Sequence, residues 1–469
     1  MNITDFNKIL LDETKKIHFS GVCGSGMRGL AILAKSMGMM VSGSDRLIDE
    51  NRSNLVVEKI LKSDLRIVPQ NGSGVTEDTD AVIFSTAVED NNADILTAKN
   101  KNIRLIHRSD LLASIFNDCY GIAVGGTSGK STTSAIIVHV LKECGINVSY
   151  CLGGEIIDYE PFGSVGFVNG SKYFCIEADE SDRTIKKYEQ KIGVITNISA
   201  EHLELEELME LFKGFAQKCS EVVYMGTDNE FVKNIYLSEK NKIKAVTFGT
   251  NFDSDHKISN IVHKGFSSSF TLDGFSFLLN IPGLHNIYNS CVAILIAKRL
   301  GADNEAIKKA LANFKGVRRR FQIKGEVKNI TVVDDFAHNP EKAAATLEFA
   351  RKLNRRLIIM YQPHGYLPAL KHRAGFLEVW KKYLNNDDIL IYSDIFYPGG
   401  TIPDIAKDLT SKDLSDDAVR AGLNSHYIKT REETADFIVR KSVSNDLVIV
   451  MGARDDSLSD FCETILIKL

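Results

Sequence analysis

The chain has 469 residues, 44% of them hydrophobic and 25% charged, with a formal net charge of −4. These proportions suit a globular protein too long for one core, so about two to four domains are expected. The near balance of charge excludes a general electrostatic attraction to nucleic acid, and no apolar run is long enough to span a membrane.

The N-terminal stretch "MNITDFNKILLDETKK" lacks the charged-then-apolar layout of an export signal. The eight cysteines (Cys23, Cys119, Cys144, Cys151, Cys175, Cys219, Cys291 and Cys462) are scattered without a CxxC pair. That usage fits reduced thiols in a cytoplasm better than a disulfide frame or a zinc site.

In chain order, "KIHFSGV" predicts a buried strand, followed by the glycine cluster "GVCGSGMRG" and the helical spacing of "MRGLAILAKSMG". "MVSGSD" predicts a second strand ending at Asp45, and "AVIFSTAV" and "IRLIH" add apolar runs between polar helical stretches. This βαβ rhythm implies a parallel, doubly wound sheet. A new segment opens near residue 118, where the strand "GIAVGG" leads into "GGTSGKSTTSAII". "TTSAIIVHVLKECG" predicts an amphipathic helix stopped at Gly145, and "YFCIEAD" and "IGVITNI" predict strands. A third segment, from about residue 321, follows "GVRRRF". Its first strand is expected at "ITVVDDFAH", with others at "RLIIMYQP", "DILIYSDI" and "LVIVMGA".

Between a strand and a helix, glycine-loop N–H groups face phosphate oxygens and the helix dipole favours the anion. Gly126, Thr127, Ser128 and Gly129 supply such a loop; Lys130 would reach terminal phosphates, and Ser131 and Thr132 add hydroxyls. Val124 stands where the GxxxxGK[ST] pattern has its first glycine, so a plain glycine-rich turn is the alternative. "EADESD" (Glu177, Asp179, Glu180, Asp182) and "TNISAEHLE" (Asn197, His202) follow strands, whose ends converge on one sheet edge. They are candidate magnesium ligands; by themselves an acidic run is usually solvated and a lone histidine structural. The first cluster holds GxGxxG at Gly24, Gly26 and Gly29, with Asp45 ending the next strand. It predicts a dinucleotide site, the diphosphate of a UDP-sugar, or glycines kept only for close packing. Two phosphate-type loops suggest two nucleotide-bearing ligands.

In order, "GGTSGKSTT", "EADESD", "TNISAEH", "GLHNIYN" (Gly283 to Asn289), "GVRRRF" and "DDFAHNP" (Asp334 to Pro340) resemble the motifs of the Mur ligases. These are ATP-dependent amide-bond-forming ligases of peptidoglycan synthesis. The N-terminal cluster and "QPHGY" (Gln362 to Tyr366) extend the resemblance over nearly the whole chain. It implies an α/β protein of three domains: Rossmann-like 1–117 for a UDP-sugar, a central P-loop ATPase 118–320, and Rossmann-like 321–469. The implied reaction joins an amino acid, L-alanine first among the choices, to the carboxylate of UDP-N-acetylmuramate through an acyl phosphate. ATP and Mg2+ are the implied cofactors.

Carried over by resemblance, Gly126 to Thr132 hold ATP phosphates, with Lys130 central. Ser131, Glu177 and His202 serve magnesium, and Asn197 lies nearby. His285, Asn286 and Asn289 line the adenine side; Arg320 and Asp335 are contributed to ATP by the third domain. His338 sits by the incoming amino acid. Gly24, Ser25, Gly26, Met27 and Asp45 hold the UDP-sugar.

Several positions depart from the family. Ser131 replaces a threonine, Phe336 and Asn339 replace a tyrosine and a histidine, and Arg454 stands where a small residue is usual. After His364, Gly365 and Pro368 take the places of arginines that grip an anionic substrate; Lys371, His372 and Arg373 follow as candidate substitutes. Cys23 and Phe336 also resemble the murein-tripeptide recycling ligase, so another amino acid or a peptide is the alternative acceptor. A non-catalytic nucleotide sensor and a nicotinamide dehydrogenase are the remaining rivals.

Overall fold

A computed structural model of the chain describes residues 15–50, 55–160, 162–199, 204–251, 253–397 and 404–469. It divides into two compact units, Met1–Val317 and Arg318–Leu469. The first unit carries two sheets and the second carries one.

The first sheet has five parallel strands in the order β3-β2-β1-β4-β5. They are β1 Lys16–Ser20, β2 Met40–Ser44, β3 Arg66–Ile67, β4 Ala81–Phe84 and β5 Arg104–His107. The chain winds outward from β1 on one side, then returns to β4 on the other. The glycine cluster after β1 therefore stands at the point where the strand order reverses, the usual ligand crevice of such sheets.

The second sheet has ten strands in the order β15-β14-β13-β12-β11-β10-β6-β9-β7-β8. Its middle is parallel: β6 Tyr120–Gly125, β7 Val148–Cys151, β9 Tyr173–Glu177, β10 Ile192–Ile195, β11 Val222–Gly226 and β12 Ala245–Gly249. β8 Val165–Gly166 pairs antiparallel at one end. At the other, β13 His256–Lys264, β14 Ser267–Leu272 and β15 Phe275–Leu279 form an antiparallel meander that the βαβ rhythm did not anticipate. β14 alternates buried and half-buried residues, the signature of a strand packed on one face only.

The helix Lys130–Glu143 corrects the amphipathic expectation: every residue from Thr133 to Leu141 is buried. It packs against the helices Leu284–Arg299 and Asn304–Asn313 as well as the strands β6, β7 and β9, and a helix covered all round has no polar face. His139 within it is satisfied by Tyr159 and by the Ala310 carbonyl at 3.0 Å. Gly145 ends the turn as expected, at φ +77.

The third sheet runs β16-β17-β21-β18-β19-β20. Its strands are β16 Gln322–Val327, β17 Ile330–Asp335, β18 Arg356–Gln362, β19 Ile389–Tyr392, β20 Ser425–Tyr427 and β21 Asp446–Gly452. "ITVVDD" is thus the second strand of this segment and not its first. β16 pairs antiparallel with it at the sheet edge and has no fully buried residue, so it lacks the apolar run by which its neighbours are legible. No helix among the described residues is long and apolar enough to cross a membrane, and all eight cysteines are free.

Candidate active site

The loop Gly126–Gly129 joins β6 to the helix Lys130–Glu143, with Gly129 as N-cap at φ +87. Gly126 sits at φ +135, and a Cβ there would lie 2.0 Å from Thr196 Oγ1, so only glycine fits. The loop is held by the segment that follows β10. Ser128 N–H donates to Asn197 Oδ1 (3.0 Å), Asn197 Nδ2 donates to the Ser128 carbonyl (2.8 Å), and Thr127 N–H donates to the Asn197 carbonyl (3.0 Å). Asn197 therefore shapes the loop.

Lys130 Nζ folds over the loop, donating to the Gly126 carbonyl (2.8 Å) and to Glu180 Oε2 (2.7 Å). Burial raises the Glu180 carboxyl above its ordinary pKa although Lys130 pulls the other way. Its second oxygen, Oε1, is buried without a hydrogen-bond partner among the described residues. Asp179, beside it, is also pushed up by burial, but the Lys130 charge and the Ser181 N–H outweigh this and lower it. Ser131 Oγ donates to Glu177 Oε2 (2.9 Å), and Gly153 N–H donates to Glu177 Oε1 (2.6 Å). A hydroxyl and a carboxylate thus meet at the helix N-terminus. His202, the third predicted metal ligand, lies outside the described residues.

Beside the loop opens a pocket of about 260 Å³ lined by Thr196, Asn197, Asp228, His285, Tyr288 and Asn289 among others. His285 and Asn289, the residues assigned by resemblance to the adenine side, both line it. Asn286 is buried, its Nδ2 donating to the Pro282 carbonyl and its Oδ1 accepting from Asn289, so it braces Asn289. Asp228 and Tyr288 were not anticipated. Asp228 accepts from Tyr288 Oη (2.5 Å) and from Thr250 N–H and Oγ1 (both 2.7 Å). It follows β11, the neighbour of β10, so the convergence of strand ends that singled out Asn197 also applies to "GTDN".

At the first glycine cluster, Gly24 caps the helix Ser25–Ser36, and Gly26 lies so close to Arg108 that a Cβ would stand 2.9 Å from its Nη1. Gly29 packs against Cys151 and Val165, which is the close-packing role. Met27 corrects the expectation: its side chain is core, 2% exposed, and its N–H bonds the Gly24 carbonyl. Asp45 is not presented outward either. It is buried, accepting from Cys23 N–H (2.9 Å) and Leu47 N–H (3.0 Å), so it stabilises the loop and caps the helix Arg46–Asp49.

In the second unit, Asp335 is likewise buried and committed. It accepts from Phe321 N–H (2.7 Å), Ala337 N–H (2.9 Å) and Thr346 Oγ1 (3.0 Å), and burial raises its pKa. It braces the two loops that carry Arg320 and His338. Arg320 is exposed, its guanidinium 5.2 Å from the Phe336 ring centroid. His338 packs edge-on between Phe336 (5.4 Å) and His364 (5.2 Å). Its Nδ1 is 2.9 Å from the Phe336 carbonyl, which can only accept, so Nδ1 carries the hydrogen and Nε2 is the bare acceptor. Burial pulls the His338 pKa to about 3, so the ring is neutral at physiological pH. Arg373 is paired with Asp417 at 2.5 Å, so it is not a free cation here as the missing arginines would be. Gly365, at φ +66 and ψ 136, adopts a conformation open only to glycine, so an arginine could not stand there without a different backbone.

Three family descriptions match the chain in succession: "Mur ligase family, catalytic domain" over residues 16–120, "Mur ligase middle domain" over 124–297, and "Mur ligase, glutamate ligase domain" over 319–454. The UDP-N-acetylmuramate–L-alanine ligase of Geotalea daltonii is 33% identical over 457 residues, covering 94% of this chain and 95% of that one. That of Dictyoglomus turgidum is 34% identical over 461 residues, covering 94% of each. The solved UDP-N-acetylmuramate–alanine ligase of Thermotoga maritima superposes with a TM-score of 0.78 at 25% identity, covering 97% of this chain and 98% of that one. The murein peptide ligase of Psychrobacter arcticus gives 0.67 at 20% identity over the same shares, a likeness of fold. With matched domains in order and relatives alike over nearly their full length, the chain belongs to the Mur ligase family.

Proposed function

We propose that the protein joins L-alanine to the carboxylate of UDP-N-acetylmuramate with hydrolysis of ATP to ADP and phosphate, in peptidoglycan synthesis. The observation that carries this reading is the phosphate loop, where Lys130 and the Ser131–Glu177 pair stand together at one helix N-terminus. A carboxylate does not react with an amine at neutral pH; phosphorylation makes it an acyl phosphate that an amine displaces. Lys130 lowers the repulsion between ATP and the attacking carboxylate and neutralises charge on the transferring phosphoryl. The pocket beside Asn289 suits the nucleoside, and the glycine cluster after β1 suits the UDP diphosphate.

Magnesium fits the residues present. Ser131 Oγ and the Glu177 carboxylate are hard oxygen donors 2.9 Å apart. Among the described residues no group of three or more His, Cys, Asp or Glu gathers, and magnesium is ordinarily held by one or two carboxylates with substrate phosphates completing its shell. Bound there, the ion supplies charge neutralisation for phosphoryl transfer. His338, neutral and with Nε2 as acceptor, orients the incoming amine by accepting a hydrogen bond from it.

Phosphate release from Mg-ATP should require UDP-N-acetylmuramate and L-alanine together. Release that needs a different acceptor, or none, overturns the reading. Glu177→Gln should shift the magnesium titration about tenfold upward and slow turnover, because an amide oxygen is a poorer ligand for a hard cation. An unchanged titration would reassign Glu177 to holding Gly153.

A further inference from the structure

In the second unit the adjacent strands β17, β21 and β18 end together: the parallel registers place Asp335 beside Met451 and Gln362 beside Gly452. Just past these ends stand His338, Arg454 and His364. Each end also leads into a helix: Pro340–Lys352, Ser457–Lys468 and Tyr366–Tyr383. Helix N-termini carry partial positive charge, so the edge gathers positive poles and basic side chains.

The acids nearby are already committed. Asp455 accepts from Gln362, Arg431 and Ser457; Asp456 lies 3.6 Å from Arg319; Asp335 is saturated as described. Arg454 is exposed, held at φ +65, and makes no hydrogen bond or ion pair among the described residues. His364, only 9% exposed, has a buried Nδ1 with no hydrogen-bond partner among the described residues, and its ring lies against that of His338. With its hydrogen on Nδ1, such an orphan ring nitrogen is a donor near a cation that has no partner among the described residues, and the two together suit an anion. Burial, with Arg454 and His372 adding, pulls the His364 pKa to about 4, so Arg454 supplies the fixed charge. The three sequence departures, Phe336 with Asn339, Gly365 and Arg454, therefore meet at one edge.

We propose that Arg454 binds the α-carboxylate of the incoming amino acid, beside the His338–His364 pair. This rests on the ligase reading above and deepens it: it requires a free amino acid, since a peptide has no carboxylate next to its reacting amine. Amine on His338 Nε2 and carboxylate on Arg454 would grip a zwitterion at both ends.

The test compares wild type, Arg454→Ala, Arg454→Lys and the control Lys371→Ala, with L-alanine and L-alaninamide as co-substrates. Loss of a charge-assisted contact should raise the KM of Arg454→Ala for alanine roughly ten- to hundredfold. Its KM for ATP and for the UDP-sugar should stay within about twofold, and its preference for acid over amide should disappear. Arg454→Lys should recover part of that preference, a response that a merely structural arginine would not produce. Wild-type turnover with alanine that Arg454→Ala leaves intact, or a wild type that uses the amide equally well, overturns the inference alone. A wild type inactive with every free amino acid overturns the ligase reading and the inference with it.

Discussion

Lys130→Ala is expected to lower turnover by about 10²–10³-fold, the scale of losing one preorganised group that stabilises charge in the transition state. The same change has a separate cost in stability. Glu180 is 1% exposed and is paired with Lys130, and a buried carboxyl left unpaired costs about 1–3 kcal/mol. The two effects separate through pH. The folded pKa of Glu180 lies above its unfolded value because burial outweighs Lys130. A carboxyl raised in this way contributes stability below its unfolded pKa, and that contribution is lost as pH rises through the folded value. Without Lys130 the folded value climbs further. The deficit in Tm of Lys130→Ala against wild type should therefore be small near about pH 4 and grow towards about pH 8. Adding Glu180→Gln should flatten that growth and leave turnover lost. Calorimetry across pH with phosphate-release assays checks both; near-normal turnover in folded Lys130→Ala would remove the loop from the mechanism.

Arg319→Ala should be among the most destabilising single changes in the second unit. The guanidinium is 8% exposed and donates through Nε to Asp334 Oδ1 (3.2 Å), through Nη1 to the Asp455 carbonyl (2.9 Å) and through Nη2 to the Gly452 carbonyl (2.8 Å). One side chain thereby ties the start of the unit to the ends of β17 and β21. Asp334 is fully buried and its Oδ2 has no hydrogen-bond partner among the described residues, so removing Arg319 strands a charge; breaking such a pair costs about 3–5 kcal/mol. For a unit of this size that corresponds to a fall in Tm of roughly 6–20 °C. Arg319→Lys should rescue little, because an ammonium cannot reach three acceptors laid out for a planar fork. Hydrogen exchange should show β17 and β21 amides losing protection, with β6 amides unchanged. A loss below about 1 kcal/mol would mean the loop finds other partners.

Arg319 and Arg320 show where reading the sequence stops. "GVRRRF" offers three arginines in a row, and the family motif directs attention to Arg320. Nothing in the local spacing says that Arg319 turns inward to bonds 15 to 136 residues away while Arg320 stays exposed over Phe336. The sequence leaves Arg373 equally open to either role, and Asp417, on another helix, pairs with it.

By itself the sequence determined the parallel βαβ elements, the phosphate loop between β6 and its helix, and the ordered motifs of a Mur ligase. Those features are local: apolar runs, glycine placement and helix stops act within a few residues, so they are written in neighbouring positions. The tertiary structure alone decided which polar groups remain available. Asp45 and Asp335 are consumed by donors around them and Asn286 by the Pro282 carbonyl and Asn289, whereas Arg454 makes no hydrogen bond or ion pair among the described residues. It also decided the edges, where β16 and β13, which opens the antiparallel meander, are half-solvated and carry no strong apolar signal. The physical reason is the same for both: hydrogen-bond satisfaction and edge pairing depend on segments brought together by folding, and the cost of leaving a buried group unpaired is set by those distant partners.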